Sequence, residues 1–346
     1  MSESLILLCR PGFEGDTAAE IQASAASHDV HGYCRTSDGS GEVRFHASGP
    51  RPVTALAGQW RLRDSVFPRQ AFVGGEPRPL PERDRVGALL DRLGRQPVAD
   101  ALVEVADNDA GRAWMRLANA LTEPLRKGLV AQGLWQPDGD GPRLHVLLGD
   151  SGATLGMMPV DGDSPWPGGI PRLRRPAAAP SRSFLKLDEA WQVLLTPDER
   201  RLALQPGMSA VDLGAAPGGW TWLLARHHLR VTAVDNGPMA DMVMETGLVE
   251  HVRADGFRYR PPRPVDWMVC DMVERPQRVA ALAAEWLAEG HCRHAVVNLK
   301  LPMKRRYATV QDCLTTMAEG IGRDALLRAR HLYHDRDEIT VYATRL

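Results

Sequence analysis

No stretch of this 346-residue chain approaches the roughly 18 consecutive apolar residues of a membrane-spanning helix, so no such helix is expected. The first residues, Met1-Ser2-Glu3-Ser4, carry an acid and lead into only four apolar residues, Leu5 to Leu8. A secretory signal needs a basic start and a longer apolar segment, so none is expected either. Cysteine is sparse and scattered, at Cys9, Cys34, Cys270, Cys292 and Cys313. These form no C-x-x-C pair, which argues against a zinc site and a disulfide framework and makes a reducing cytoplasm the expected compartment. Net charge is nearly absent: 42 Lys and Arg stand against 43 Asp and Glu, leaving −1 with histidine neutral. A chain so balanced does not coat nucleic acid indiscriminately. No internal repeat or low-complexity tract appears.

What is present suits two or three compact units. Short strands and helices alternate first: a strand at Leu5 to Cys9, a helix to about Ser24, a strand at Gly41 to His46, and a helix at Val53 to Trp60. Such β-α-β units suit a small α+β ferredoxin-like domain over residues 1–60. A second small unit, 61–160, shows helical spacing at Asp84 to Leu93 and Ala113 to Gln132, with strands at Leu102 to Val105 and Leu144 to Leu148. Residues 161–180 are rich in Pro, Gly and Arg and read as a stiff linker. Beyond it, 181–346 alternates strands (Ser209 to Leu213, Arg230 to Val234, Val249 to Val252, Asp266 to Cys270, Ala295 to Leu299, Glu338 to Thr344) with helices. That pattern means an α/β, Rossmann-like domain with a mostly parallel sheet.

The run Asp212-Leu213-Gly214-Ala215-Ala216-Pro217-Gly218-Gly219 falls where the first of these strands gives way to a helix. Glycines there let the backbone turn sharply and approach a ligand. A Gly-rich connection without a ligand is the bland alternative. Against it, the loop contains proline and lacks G-x-G-x-x-G spacing, so it is not the usual dinucleotide site, and a nucleotide-dependent oxidoreductase is disfavoured. Acids close the next two strands. Asp235 can accept the hydroxyls of a ribose, and Asp255 the exocyclic amine of adenine. The series suits an adenosyl ligand without phosphates, such as S-adenosyl-L-methionine.

Two further strand ends carry Asp271 and Lys300, Lys186 opens the helix before the loop strand, and Glu338 opens the last strand. Singly, each is explained as a solvated or paired rim residue. Together they suit removal of a proton from a ribose 2′-hydroxyl as it attacks a methyl group. A lysine becomes a base when burial or a neighbouring cation pulls its pKa down. Lys186 supplies that second charge, and Asp271 and Glu338 keep the buried lysines paired. No metal is required. An amino-directed base methyltransferase would show a Pro-Pro-aromatic run after Asp271 in place of Met272-Val273-Glu274. A carbon-directed enzyme needs a nucleophilic cysteine, but strand alternation turns Cys270 away from Asp271. A protein that binds RNA without catalysis stays open.

Arg172, Arg174, Arg175 and Arg182 form one basic cluster, and Lys304, Arg305 and Arg306 a second. Basic runs are usually solvated faces, but two that flank one candidate site fit contacts to RNA phosphates. His227-His228 at a helix end reads as a helix-terminal pair, and Trp220 and Trp222 as packing. The polar run His334-Asp335-Arg336-Asp337 reads equally as a solvated turn or as part of a substrate loop.

Asp212 to Trp220 with the Lys186, Asp271, Lys300, Glu338 set resembles the FtsJ-type ribose 2′-O-methyltransferases, and within them the bacterial enzymes acting on a cytidine of 23S rRNA. The matching runs include Cys9 to Glu14, Gly169 to Leu173, Ala179 to Ser183, Val234 to Met239, Trp267 to Glu274, Asn298 to Lys304 and Leu332 to Arg336, nearly spanning the chain. Ala216 stands where some of these enzymes carry cysteine. The resemblance implies a class I methyltransferase domain behind an N-terminal ferredoxin-like and THUMP module that grips RNA. It implies Lys300 as proton acceptor, with Lys186, Asp271 and Glu338 completing a tetrad. It also implies S-adenosyl-L-methionine held by Ser183, Ala216, Pro217, Gly218, Gly219, Asp235, Asp255 and Asp271. The implied partner is 23S rRNA near the peptidyl-transferase region, with a monomeric enzyme; another RNA such as tRNA is the alternative substrate.

Overall fold

The apolar run near the start forms β1 (Ser4–Leu8), with every residue buried. A short strand buried on both faces belongs inside a sheet, and β1 pairs antiparallel with strands on both sides. The computed structural model describes residues 3–345; Met1, Ser2 and Leu346, which the expected domain limits include, lie outside the described residues. After β1 come α1 (Glu14–Ser27), β2 (Gly32–Thr36), β3 (Glu42–Ala47), α2 (Val53–Gln59) and β4 (Gln70–Gly74). This is the β-α-β-β-α-β order of a ferredoxin-like domain. Its last strand, β4, lies beyond residue 60, where the sequence-based expectation ended the domain.

The chain continues through α3 (Arg85–Leu93), β5 (Asp100–Val105), α4 (Asp109–Ala131), β6 (Arg143–Gly149) and β7 (Gly152–Met158). Capping side chains start both helices. Asp84 accepts from the backbone N–H of Gly87 at 3.0 Å, and Asn108 from that of Gly111 at 2.6 Å. Strand β7 pairs antiparallel with both β4 and β6, so the two expected N-terminal pieces share one sheet, ordered β2-β3-β1-β4-β7-β6-β5. Each piece still has its own core, one around Ile21, Phe45 and Phe72, the other around Leu90, Leu125 and Val146.

The first compact unit extends to Ile170, so the first part of the expected linker belongs to it. A buried polar cluster holds that segment. The Gly168 N–H donates to Glu104 Oε2 at 2.7 Å, and the Ser164 N–H to Gln70 Oε1 at 3.0 Å. His145 sits between Glu104 and Asp163, 2.7 Å from each, and Arg143 pairs with Asp163. Proline and glycine mark where the chain turns but not what the turn packs against.

The second unit, from Pro171, holds α5 (Phe184–Leu194), α6 (Pro197–Ala203), β8 (Ser209–Leu213), α7 (Gly219–Arg226), β9 (Arg230–Val234), α8 (Asp241–Met244), β10 (Val249–Val252) and β11 (Val265–Cys270). It ends with α9 (Pro276–Ala288), β12 (Cys292–Lys300), α10 (Arg306–Ile321), β13 (Ala325–Arg330) and β14 (Glu338–Arg345). Its sheet runs β10-β9-β8-β11-β12-β14-β13. The first five strands are parallel, and β14 is antiparallel to both of its neighbours. Between β8 and β11 the direction of winding reverses, and ligands of open α/β sheets bind beyond the strand ends at such a point. Trp191, Trp220, Trp222 and Trp267 are all buried in this unit's core. No helix among the described residues is long and apolar enough to cross a membrane.

Candidate active site

The Asp212 to Gly219 run leaves β8 at this switch point and enters α7. Gly214 (φ +79°) and Gly218 (φ +110°) occupy left-handed backbone that favours glycine. A Cβ at Gly219 would fall 2.1 Å from Ser183 Oγ and 2.3 Å from Ser181 Oγ, so the loop comes as near these hydroxyls as glycine permits. Beneath the loop, Asp212 is buried and accepts from the Thr221 hydroxyl at 2.6 Å. Burial pushes its carboxyl up to about 7, partly offset by that hydrogen bond.

Asp235 faces the loop with both oxygens fixed by backbone donors, Ala216 N–H at 3.0 Å and Gly237 N–H at 2.7 Å. A carboxylate oxygen has a second lone pair, so Asp235 can still accept from two ribose hydroxyls. Asp255 is exposed and accepts from the Phe257 N–H at 2.9 Å. Charged side chains among the expected cofactor residues are all acidic: Asp235, Asp255 and Asp271. A cradle of glycine backbone and carboxylates repels phosphate and fits a ribose-bearing, positively charged ligand.

On the other side of the switch point the four expected catalytic side chains converge. Lys300 and Glu338 face each other across the β12–β14 ladder. Lys300 Nζ lies 2.8 Å from Asp271 Oδ1 and is also hydrogen bonded to Glu338. Lys186, on the first turn of α5, is 3.4 Å from Asp271 Oδ2 and paired with Glu338 through its other oxygen. Two cations and two carboxylates thus close a ring. For Lys300, burial opposes the charged form, but Asp271 and Glu338 outweigh it and hold the ammonium above the ordinary lysine value. The sequence-based expectation of a lowered pKa does not describe this arrangement.

Of three residues supporting the ring, Asn298 and Thr340 carried no functional expectation of their own, and Asp335 only that of a solvated turn or a substrate loop. Asn298 donates to Asp271 Oδ1 at 3.1 Å, and its carbonyl accepts from Thr340 Oγ1 at 2.7 Å. Thr340 Oγ1 also lies 3.1 Å from Asp335 Oδ2. Asp335 is fully buried, not part of a solvated turn, and burial together with Glu338 and Glu189 raises its pKa well above the usual carboxylate range. An asparagine within Val296-Val297-Asn298-Leu299 was the available signal, since a buried polar residue in an apolar strand needs a partner. Cys270 is buried, and desolvation pushes its thiol up to about 12, which opposes a nucleophilic role.

Of the basic residues, Arg172, Arg175 and Arg182 line one cavity with Tyr333 and His334; Arg174 is exposed but is not part of that wall. Lys304 and Arg305 are exposed at the start of α10, and Arg306 lies 4.0 Å from Asp337. His227 caps the end of α7, with its pKa lowered by burial.

Family models match two segments, an RlmM ferredoxin-like domain over residues 1–72 and an FtsJ-like methyltransferase over 179–296. The chain is 50% identical to "Ribosomal RNA large subunit methyltransferase M" of Azotobacter vinelandii, covering 99% of this chain and 98% of that one. It is 47% identical to the protein of the same name from Stutzerimonas stutzeri, covering 99% of both. The crystal structure of TrmN from Thermus thermophilus aligns over 99% of this chain and 100% of that one, with 17% identity and a TM-score of 0.34.

Proposed function

This chain belongs to the ribosomal RNA large subunit methyltransferase M family, and from that premise we propose that it methylates the ribose 2′-hydroxyl of a cytidine in 23S rRNA, using S-adenosyl-L-methionine. The observation that carries the proposal is the ring of Lys186, Asp271, Lys300 and Glu338 beside a phosphate-averse glycine loop. Bound there, S-adenosyl-L-methionine would supply a methyl group on a positively charged sulfur, an excellent leaving group. Asp235 would hold its ribose hydroxyls, Asp255 its adenine, and the loop from Ala216 to Gly219 with Ser183 and Asp271 the remainder.

The protein's own residues then have two tasks. Positioning the 2′-oxygen for an in-line attack on the methyl group removes much of the barrier. Taking the hydroxyl proton falls to Lys300 Nζ, held in place by Asp271 and Glu338, while Lys186 shares both carboxylates. Lys300 must lose its own proton first; its raised pKa opposes that step near neutral pH, and the step becomes more favourable as pH rises. The RNA-gripping role is assigned to residues 61–160 as a THUMP-like portion, helped by the basic clusters around Arg172 and Lys304.

Replacing Lys300 with alanine is expected to abolish methyl transfer while leaving cofactor affinity within a few-fold. Normal turnover by that variant would remove Lys300 from the base role. Mass mapping of ribose methylation in 23S rRNA, with and without the gene, tests the substrate: the expected result is loss at one cytidine of the peptidyl-transferase region.

A further inference from the structure

Arg172, Arg175, Arg182, Leu185, Tyr333 and His334 enclose a cavity of about 340 Å³. All six residues belong to the second unit. The three guanidinium groups have no ion-pair partner among the described residues. Arg175 donates to the Ala179 carbonyl at 3.5 Å, and Arg172 lies over the Tyr333 ring, 5.4 Å from its centroid. Such a concentration of uncompensated positive charge around one hollow favours an anion.

The wall is firmly built. Glu189 is buried and accepts from the Tyr333 N–H at 2.8 Å, the His334 N–H at 3.0 Å and the His334 ring at 2.6 Å. Glu189 stands one turn after Lys186 on α5, and Leu185 of the cavity immediately precedes Lys186. One helix therefore carries both a member of the lysine–carboxylate ring and the anchor of the cavity's aromatic wall.

We propose that this cavity is a subsite for one nucleotide flanking the methylated one on a single-stranded RNA segment, with Arg175 and Arg182 on its phosphate and the Arg172–Tyr333 pair against its base. The proposal rests on the RNA methyltransferase function given above. The volume lies at the small end of the roughly 300–1,000 Å³ range of ligand pockets, which suits one nucleotide and not a duplex. Unpaired bases are commonly held against aromatic rings and guanidinium planes.

Affinity of the full chain for a single-stranded cytidine pentaribonucleotide, read by fluorescence anisotropy across a salt series, tests this without requiring turnover. Tyr333→Leu is expected to weaken binding about tenfold, and Tyr333→Phe to restore it. The double variant Arg175→Ala, Arg182→Ala should flatten the slope of log affinity against log salt by about 0.7, the value for losing one phosphate contact on a single strand. Unchanged affinity and slope in these variants would overturn the subsite, even with methylation of rRNA intact. If the wild-type chain methylates no rRNA, the enzymatic function fails alone, and the oligonucleotide result still decides the subsite.

Discussion

Thr340 shows how a side chain that touches no reactant can govern the lysine–carboxylate ring. Its hydroxyl serves Asn298 on one side and Asp335 on the other, and Asn298 in turn fixes Asp271. Thr340→Val keeps the shape but leaves the buried Asn298 carbonyl without this donor, a loss of about 1–3 kcal/mol. Calorimetry should show a lower Tm, and kinetics a fall in kcat greater than any rise in KM for the cofactor. Thr340→Ser should recover both; a serine variant as impaired as valine would break the chain of contacts at this point. On the proposed role of Lys300 as base, the pH profile reports on its titration. Because its folded pKa lies above the ordinary lysine value, kcat/KM is expected to keep rising with pH through the neutral range. Glu338→Gln removes one of the carboxylates that raise it, so its rising limb should move to lower pH; an unmoved limb would exclude Lys300 as the titrating base. Lys300 and Asp271 were legible in the sequence because strand ends in an α/β sheet converge on one edge. Thr340 was not, since a threonine within Glu338-Ile339-Thr340-Val341 looks like any β-branched strand residue. Asp335 sat among polar neighbours that suited a solvated turn or a substrate loop equally, and neither reading foresaw a buried support.

At the scale of elements, pattern reading succeeded where hydrophobicity decides. Ser209–Leu213, Arg230–Val234 and Val249–Val252 have the limits their apolar runs imply. It missed β13, where Arg328 and Arg330 interrupt the strand. Arg328 is explained by α6, another element that received no separate expectation. Thr196 and Glu199 form a reciprocal capping box at the start of α6, and both Glu199 oxygens accept from Arg328, at 2.6 and 2.7 Å. Long-range pairs of this kind leave no periodic trace in a sequence. The Arg328 hydrogen bonds, opposed by some burial, bring the Glu199 carboxyl down to about 2. A depressed acid stabilises the fold above its unfolded value, about 4.3, and that contribution disappears as pH falls through about 2. The pair is partly exposed and solvent-screened, so its effect is modest. Glu199→Gln should therefore lower Tm at pH 6 and make progressively less difference toward pH 2; an equal difference at both would remove the ion pair from the account. Thr196→Ala should cost about 1 kcal/mol through the lost cap.

For the whole molecule, the division into an N-terminal α+β part and a C-terminal α/β part was legible, because the spacing of apolar residues changes between them. The joining of the N-terminal pieces into one sheet was not, since β4 and β7 meet across more than 70 residues of chain and only over Val73, Gly74 and their partners Met157, Gly156. Nor was the polar cluster that secures the Asp163 to Gly168 segment to this unit. That cluster makes the stability of the first unit depend on pH in a direction opposite to that of Glu199. Burial disfavours a charged His145, but Glu104 and Asp163 overcome it and raise its pKa. A raised histidine contributes fully below its unfolded value, about 6.5, and its contribution is lost as pH climbs through the folded value. Asp163 reinforces the trend: burial raises its pKa against the pull of His145 and Arg143, so its ionisation also weakens the fold as pH rises. His145→Gln can replace some hydrogen bonding but never gains the charge. Thermal unfolding should thus show a larger loss of Tm for this variant at pH 6 than at pH 9, with the gap narrowing smoothly between. Equal losses at the two pH values would mean that His145 stays neutral between its carboxylates and serves by shape alone.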